Sequence, residues 1–164
     1  MIILTILVKE IMKEPLYLNE NESINKAIEV FKVHKISGAP VINNENQFVG
    51  IISEEDIIKT LITHDDTIHI DLPSPLDLIE LPFKTFKKLE EYREDIDKAL
   101  SSKIKDIMNT DVITISGDAT INEASKLMVK HKIKRLPVVD CGALIGIITR
   151  HDIIEALCNN CDKL

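Results

Sequence analysis

Gly50-Ile51-Ile52-Ser53-Glu54-Glu55-Asp56-Ile57-Ile58 returns 96 residues later as Gly146-Ile147-Ile148-Thr149-Arg150-His151-Asp152-Ile153-Ile154. Working outward, Pro40-Val41 returns as Pro137-Val138, His34-Lys35-Ile36 as His131-Lys132-Ile133, and Lys9-Glu10-Ile11-Met12 as Lys105-Asp106-Ile107-Met108. The offset is 96 at the leading Lys-x-Ile-Met, 97 in the middle and 96 again at the end. One residue is therefore added between Met108 and Thr120, and one is lost between Val139 and Gly146. Both changes fall where turns are expected, so the chain is read as two copies of one unit.

Each copy has the order β-α-β-β-α. A short run, Leu16–Leu18 or Val112–Ile115, suits a first strand. Ser23 and Thr120 are good N-caps. Behind them Ile24, Ala27, Ile28 and Phe31, or Ile121, Ala124 and Met128, recur at helical spacing. A second strand is expected at Ala39–Ile42 and Leu136–Val139, followed by turn chemistry at Asn43-Asn44-Glu45-Asn46 and Asp140-Cys141-Gly142. A third strand ends at Ser53 or Thr149, where a final helix starts with Ile57, Ile58 and Leu61, or Ile153, Ile154 and Leu157, turned inward. One copy alone leaves apolar faces uncovered, so the two should pack together. The expected fold class is α/β (α+β), with repeat one at 8–62, an insert at 63–102, repeat two at 103–158 and a tail at 159–164. Within the insert, His64–Pro82 carries three prolines and reads as a loop. Phe83–Leu100 reads as a helix whose sparse stripe (Phe83, Phe86, Leu89, Ile96, Leu100) faces either its own module or a second copy.

Hydrophobic residues make up 45% and charged residues 29% of the 164, which suits a folded globular chain rather than a disordered one. The net charge of −7, with no Lys/Arg cluster, argues against nucleic acid and anionic membrane as partners. The apolar run Ile2–Val8 is too short to span a bilayer and lacks a basic flank. An intracellular, cytoplasmic protein is expected. Three cysteines, Cys141, Cys158 and Cys161, suit reduced thiols. Cys158-x-x-Cys161 supplies only two of the four ligands of a structural zinc, so no metal site is expected.

The chemistry concentrates in Gly-x-x-Ser/Thr-x-x-Asp. Its hydroxyl sits where a strand passes into a helix, beside first-turn N–H groups and the positive helix end, which favour an anion. A carboxylate three residues on can accept two hydrogen bonds from a ribose diol. The same pattern is also an N-terminal capping box, and duplication does not decide between the two. No nucleophile–base arrangement or Walker-type loop is visible.

The repeat pair, the Lys-x-Ile-Met start, the Pro-Val strand and the Gly-Ile-Ile-Ser/Thr-x-x-Asp ending together resemble a pair of CBS domains, over about Val8–Leu61 and Ile104–Leu157. The resemblance implies a pseudo-symmetric module that holds adenosine ligands (AMP, ADP, ATP or S-adenosylmethionine) in two clefts between the repeats. Carried over, one cleft pairs Ser53 and Asp56 with Val112, Ile113, Lys134, Arg135, Pro137 and His151. The other pairs Thr149 and Asp152 with Pro15, Leu16, Ser37, Gly38 and Pro40, and sets Glu55 nearby. Lys134-Arg135 resembles a phosphate-contacting segment of the family, whereas Glu55 would repel phosphate, so phosphorylated ligands are expected at the Ser53/Asp56 cleft. The implied function is non-enzymatic regulation such as energy sensing, with no required cofactor, in a homodimer that signals to an effector by conformational shift. The alternative is an assembly module that docks on an enzyme or transporter with its clefts empty.

Overall fold

A computed structural model of the chain describes residues 6–62 and 81–161. The expected loop from His64 lies outside the described residues as far as 80, and so does the end of the tail. The side chains of Leu61, Phe83, Phe86, Leu89 and Cys161 also lie outside them. The fold is mixed α/β. In chain order it runs α1 (Val8–Ile11), β1 (Leu18–Asn19), α2 (Ile24–His34), β2 (Gly38–Ile42), β3 (Phe48–Ser53), α3 (Glu54–Ile62) and α4 (Leu81–Leu100). A 3-10 turn (Ile104–Asp106) then precedes α5 (Ile121–Lys130), β4 (Arg135–Asp140), β5 (Ala143–Thr149) and α6 (Arg150–Cys161). Strands β1-β2-β3 form one sheet, and β4-β5 form an antiparallel hairpin. The insert helix is present as α4, and its described C-terminal part, with Ile96, Ala99 and Leu100 half-buried, lies near α2 and α3.

The first strand of each copy is shorter than expected. Leu16 is exposed and irregular, and β1 begins only at Leu18, paired in parallel with Val41. In the second copy Val112 and Ile113 are also irregular, and the strand shrinks to a single bridge between Ile115 and Val138. Ile115 donates to Pro137 O at 3.0 Å and accepts from Val139 N–H at 2.9 Å. The preceding rung would need N–H groups from Pro40 and Pro137, which proline lacks. The sequence reading placed the runs correctly and missed that the Pro-Val motif truncates them.

Described residues of Met1–Glu20, Ala39–Ile51 and Asn109–Leu164 form one compact unit, and Asn21–Gly38 with Ile52–Met108 form another. These units cut across the repeats because the repeats exchange their leading segments. In the first unit Val8 N–H donates to Ala119 O at 2.8 Å, and Ile121 N–H donates to Ile6 O at 3.0 Å. In the second, the equivalent Ile104 N–H donates to Glu22 O at 2.9 Å, and Ile24 N–H to Ser102 O at 3.0 Å. Val8 and Ile104 are completely buried by this exchange, each contributing about 1.5–3 kcal/mol.

The first unit's core is Val8, Ile115, Ala124, Met128, Leu136, Val138, Ile148 and Ile153. Buried Ile24, Ala27, Phe31, Ile52, Ile57 and Ile104 belong to the second. Ile58 and Ile154, expected to face inward, are 53% and 58% exposed. They follow Ile57 and Ile153 by one position, about 100° round the helix, so only the first of each pair meets the core. The β4-β5 turn places Cys141 at φ 48° and Gly142 at φ 84°, the two positive φ values that a two-residue type I′ hairpin requires. In the first copy Asn43 Oδ1 instead accepts from both Glu45 and Gln47 N–H at 2.9 Å, which accounts for the extra residue there.

Candidate functional site

Strand β5 carries Thr149 to the start of α6, and β3 carries Ser53 to the start of α3. Thr149 donates to Asp152 Oδ2 twice, from N–H at 2.7 Å and Oγ1 at 2.6 Å, and Asp152 N–H donates back to Thr149 Oγ1 at 3.3 Å. Ser53 and Asp56 repeat the pattern at 2.8, 2.6 and 3.4 Å. Both motifs are thus capping boxes. This also reduces the first-turn donors expected to face an anion. The Glu54 and Arg150 N–H groups are taken by Ser37 O and Lys134 O at 3.1 Å, and those of Asp56 and Asp152 by the hydroxyls.

The capping box uses one carboxylate oxygen, Oδ2, in each copy. In the second copy Asp152 Oδ1 accepts from Lys13 Nζ at 2.7 Å. Asp152 is only 4% exposed and is the one buried charged residue among those described. Burial pushes its carboxyl up, but hydrogen bonds from Lys13 and Thr149 outweigh that and hold it below the usual range. The same ammonium lies 3.7 Å from Glu155 Oε2. In the first copy Asp56 Oδ1 has no hydrogen-bond or ion-pair partner among the described residues.

The remaining expected residues divide between the two units. Beside Thr149 and Asp152 in the first unit, Pro15 is half-buried and Leu16 exposed, two and three residues beyond Lys13. Lys134 and His151 are exposed, and Val112 and Ile113 are half-buried. Arg135 is half-buried at the start of β4, directly opposite Thr149 in register. Pro40 and Pro137 are fully buried, so their rings pack in the core and present no surface to a ligand. Ser37 and Gly38 belong with Ser53 and Asp56 in the second unit. A Cβ at Gly38 would sit 3.0 Å from Ile52 O, which explains glycine where the second copy has Arg135. Glu55 is paired with Lys59 one turn along α3 at 2.8 Å, so its charge is partly neutralised at source.

Two residues of this region escaped the sequence reading. Arg150 donates through Nε to Ile133 O at 3.0 Å and through Nη2 to Met128 O at 3.4 Å, tying the end of α5 to the start of α6. Lys13 is the other. Its only trace in the sequence is that Asn109 stands at the equivalent place in the second copy.

The sequence matches the profile of the CBS domain twice, over residues 8–63 and 104–159. The chain belongs to the CBS domain family. This CBS pair is 55% identical over 152 residues to the uncharacterized protein MJ1426 of Methanocaldococcus jannaschii, covering 92% of this chain and 90% of that one. Among solved structures it resembles CBSX2 in complex with AMP (25% identity, TM-score 0.65), covering 94% of this chain and 98% of that one. It also resembles the CBS domain pair of MJ0100 in complex with 5′-methylthioadenosine and S-adenosylmethionine (26% identity, TM-score 0.64), covering 94% and 97%. Among the described residues of the CBS pair, no group of three or more His, Cys, Asp or Glu side chains could hold a metal, and no helix is long and apolar enough to cross a membrane.

Proposed function

We propose that this CBS pair is a non-enzymatic, cytoplasmic regulatory module that binds adenosine-type ligands and signals occupancy by a conformational shift. The observation that carries this is the duplicated Ser/Thr-x-x-Asp motif, with its carboxylate fixed by two donors at the start of a helix. A carboxylate so fixed is preorganised to accept a ribose diol through its other oxygen. Similar CBS pairs hold AMP, 5′-methylthioadenosine and S-adenosylmethionine. The first site is proposed at Ser53 and Asp56 in the second unit, and the other at Thr149 and Asp152 in the first unit, where Pro15, Leu16, Lys134, Arg135 and His151 are the further candidates. Ligand bound only by the folded chain raises its melting temperature. Thermal melts over AMP, ADP, ATP, 5′-methylthioadenosine and S-adenosylmethionine are expected to show a concentration-dependent rise for at least one of them. Titration calorimetry of Asp56→Ala is expected to show weaker binding of every ribose ligand at the first site. Arg135→Ala should weaken AMP by about tenfold, ~1.4 kcal/mol, and spare adenosine. No rise with any ligand at millimolar concentration would overturn the reading.

A second reading, assembly without nucleotide, draws on the exposed Ile58 and Ile154 and on a groove lined by Ile28, Phe31, Lys32, Glu54, Ile57 and Ile58. It predicts association that does not respond to adenine ligands, so the same melts, paired with sizing, separate the two.

A further inference from the structure

The two copies present their carboxylates differently. Asp152 Oδ2 is saturated by Thr149, and Oδ1 is covered by the Lys13 ammonium at 2.7 Å. The Asp152 side chain is 3% exposed while that of Lys13 is 59% exposed, so the ammonium approaches from the solvent side, the direction from which a ligand would reach the carboxylate. The first copy has the same Ser53/Asp56 box but carries Asn109 at the place of Lys13. Asn109 Oδ1 accepts from Asp111 N–H at 3.0 Å, within its own segment. Lysine at position 13 is thus an addition to one copy, not part of the shared frame.

We infer that Lys13 gates the Thr149/Asp152 site and sets its ligand class: its ammonium occupies the oxygen that a ribose needs, and ligands bearing a phosphate displace it best. The inference rests on the adenosine-ligand reading above. With both sites of Oδ2 taken by Thr149, a ribose diol that places its two hydroxyls on Asp152 needs both sites of Oδ1 and so evicts Lys13. With an uncharged nucleoside, the evicted ammonium keeps only the exposed Glu155 as a partner among the described residues, and a cationic ligand adds like charge beside it. A phosphate gives the ammonium a new counter-ion, reached by rotation of its flexible four-carbon stem. Discrimination between nucleotide and nucleoside is therefore built into residue 13. Glu55, expected from the sequence to disfavour phosphate, is itself paired with Lys59.

The test uses the full chain in an Asp56→Ala background, which removes the other copy's ribose acceptor. Adenosine and AMP are titrated by calorimetry, with the Thr149 amide resonance reporting which site fills. Lys13→Asn is expected to tighten adenosine by about tenfold, ~1.4 kcal/mol, and to narrow the preference for AMP, whereas Lys13→Arg keeps the wild-type preference. Lys13→Gln provides a second neutral variant should Lys13→Asn fold poorly. The gate is overturned if neutral variants bind adenosine no better than wild type, or if Lys13→Arg behaves like them. Silence of the Thr149 resonance in the neutral variants, with Asp56-dependent binding intact in the otherwise wild-type chain, also overturns the gate and leaves the adenosine reading standing. Absence of adenine-ligand binding at both sites overturns the two together.

Discussion

At the scale of single residues, Asp152 decides most. Its folded-state pKa is lowered, so it binds fewer protons folded than unfolded in the interval between the two values. Its stabilisation is therefore complete above the ordinary carboxylate pKa of about 3.9 and disappears as pH falls through the lower folded value. Lys13→Ala removes one of the bonds that outweigh burial, and is expected to move the acid unfolding midpoint to higher pH, as followed by circular dichroism. A midpoint unchanged from wild type would mean that the ion pair has no consequence for the fold. Asp152→Asn should cost about 1–3 kcal/mol at neutral pH, because a charge-assisted acceptor in a buried position is lost. The carboxylate itself was legible from its spacing to Thr149. Its partner was not, because Lys13 and Asp152 meet through a fold in which residue 13 leaves its own repeat, and no local periodicity encodes that.

At the scale of elements, the helices and the two later strands of each copy follow their sequence signals, because N-caps, apolar spacing and turn residues act over a few positions. Ser23 Oγ accepts from Lys26 N–H, and Thr120 Oγ1 from Glu123 N–H, both at 3.3 Å. The four-residue helix α1 was not foreseen. Its Leu7 N–H donates to Glu10 Oε2 at 2.9 Å, a local bond hidden in the Lys-x-Ile-Met motif. Helices α2 and α5 are each followed by a lysine with positive φ, Lys35 at 53° and Lys132 at 55°. The following Ile36 and Ile133 N–H groups reach back to Phe31 O and Met128 O at 3.1 Å, the long bond of a Schellman ending. Glycine fits that conformation without the Cβ penalty. Lys132→Gly is expected to stabilise the chain by about 1 kcal/mol in urea unfolding, whereas Lys126→Gly, inside α5, should destabilise it by a similar amount.

At the scale of the whole molecule, the exposed Ile58 and Ile154 occupy equivalent places in the two copies, and Val33 on α2 and Val129 on α5, at positions that are not equivalent, are 67% and 75% exposed. Repeated apolar exposure is better covered than left in water. A homodimer of twice 18.5 kDa is expected by light scattering at micromolar concentration, and Ile58→Glu combined with Ile154→Glu should yield monomer. A wild-type chain at monomer mass would overturn this.

The exchange of leading segments also bears on how the protein is made. Val8 has its backbone partner at Ala119, and Lys13 its partners at Ile147 and Asp152, all of them synthesised much later. Synthesis at about 5–20 residues per second keeps that segment waiting several seconds for them. For that interval the apolar side chains of Ile6, Leu7, Val8, Ile11 and Met12 lack the partners that cover them in the fold. The first repeat is therefore not finished until the second has been translated almost to its end.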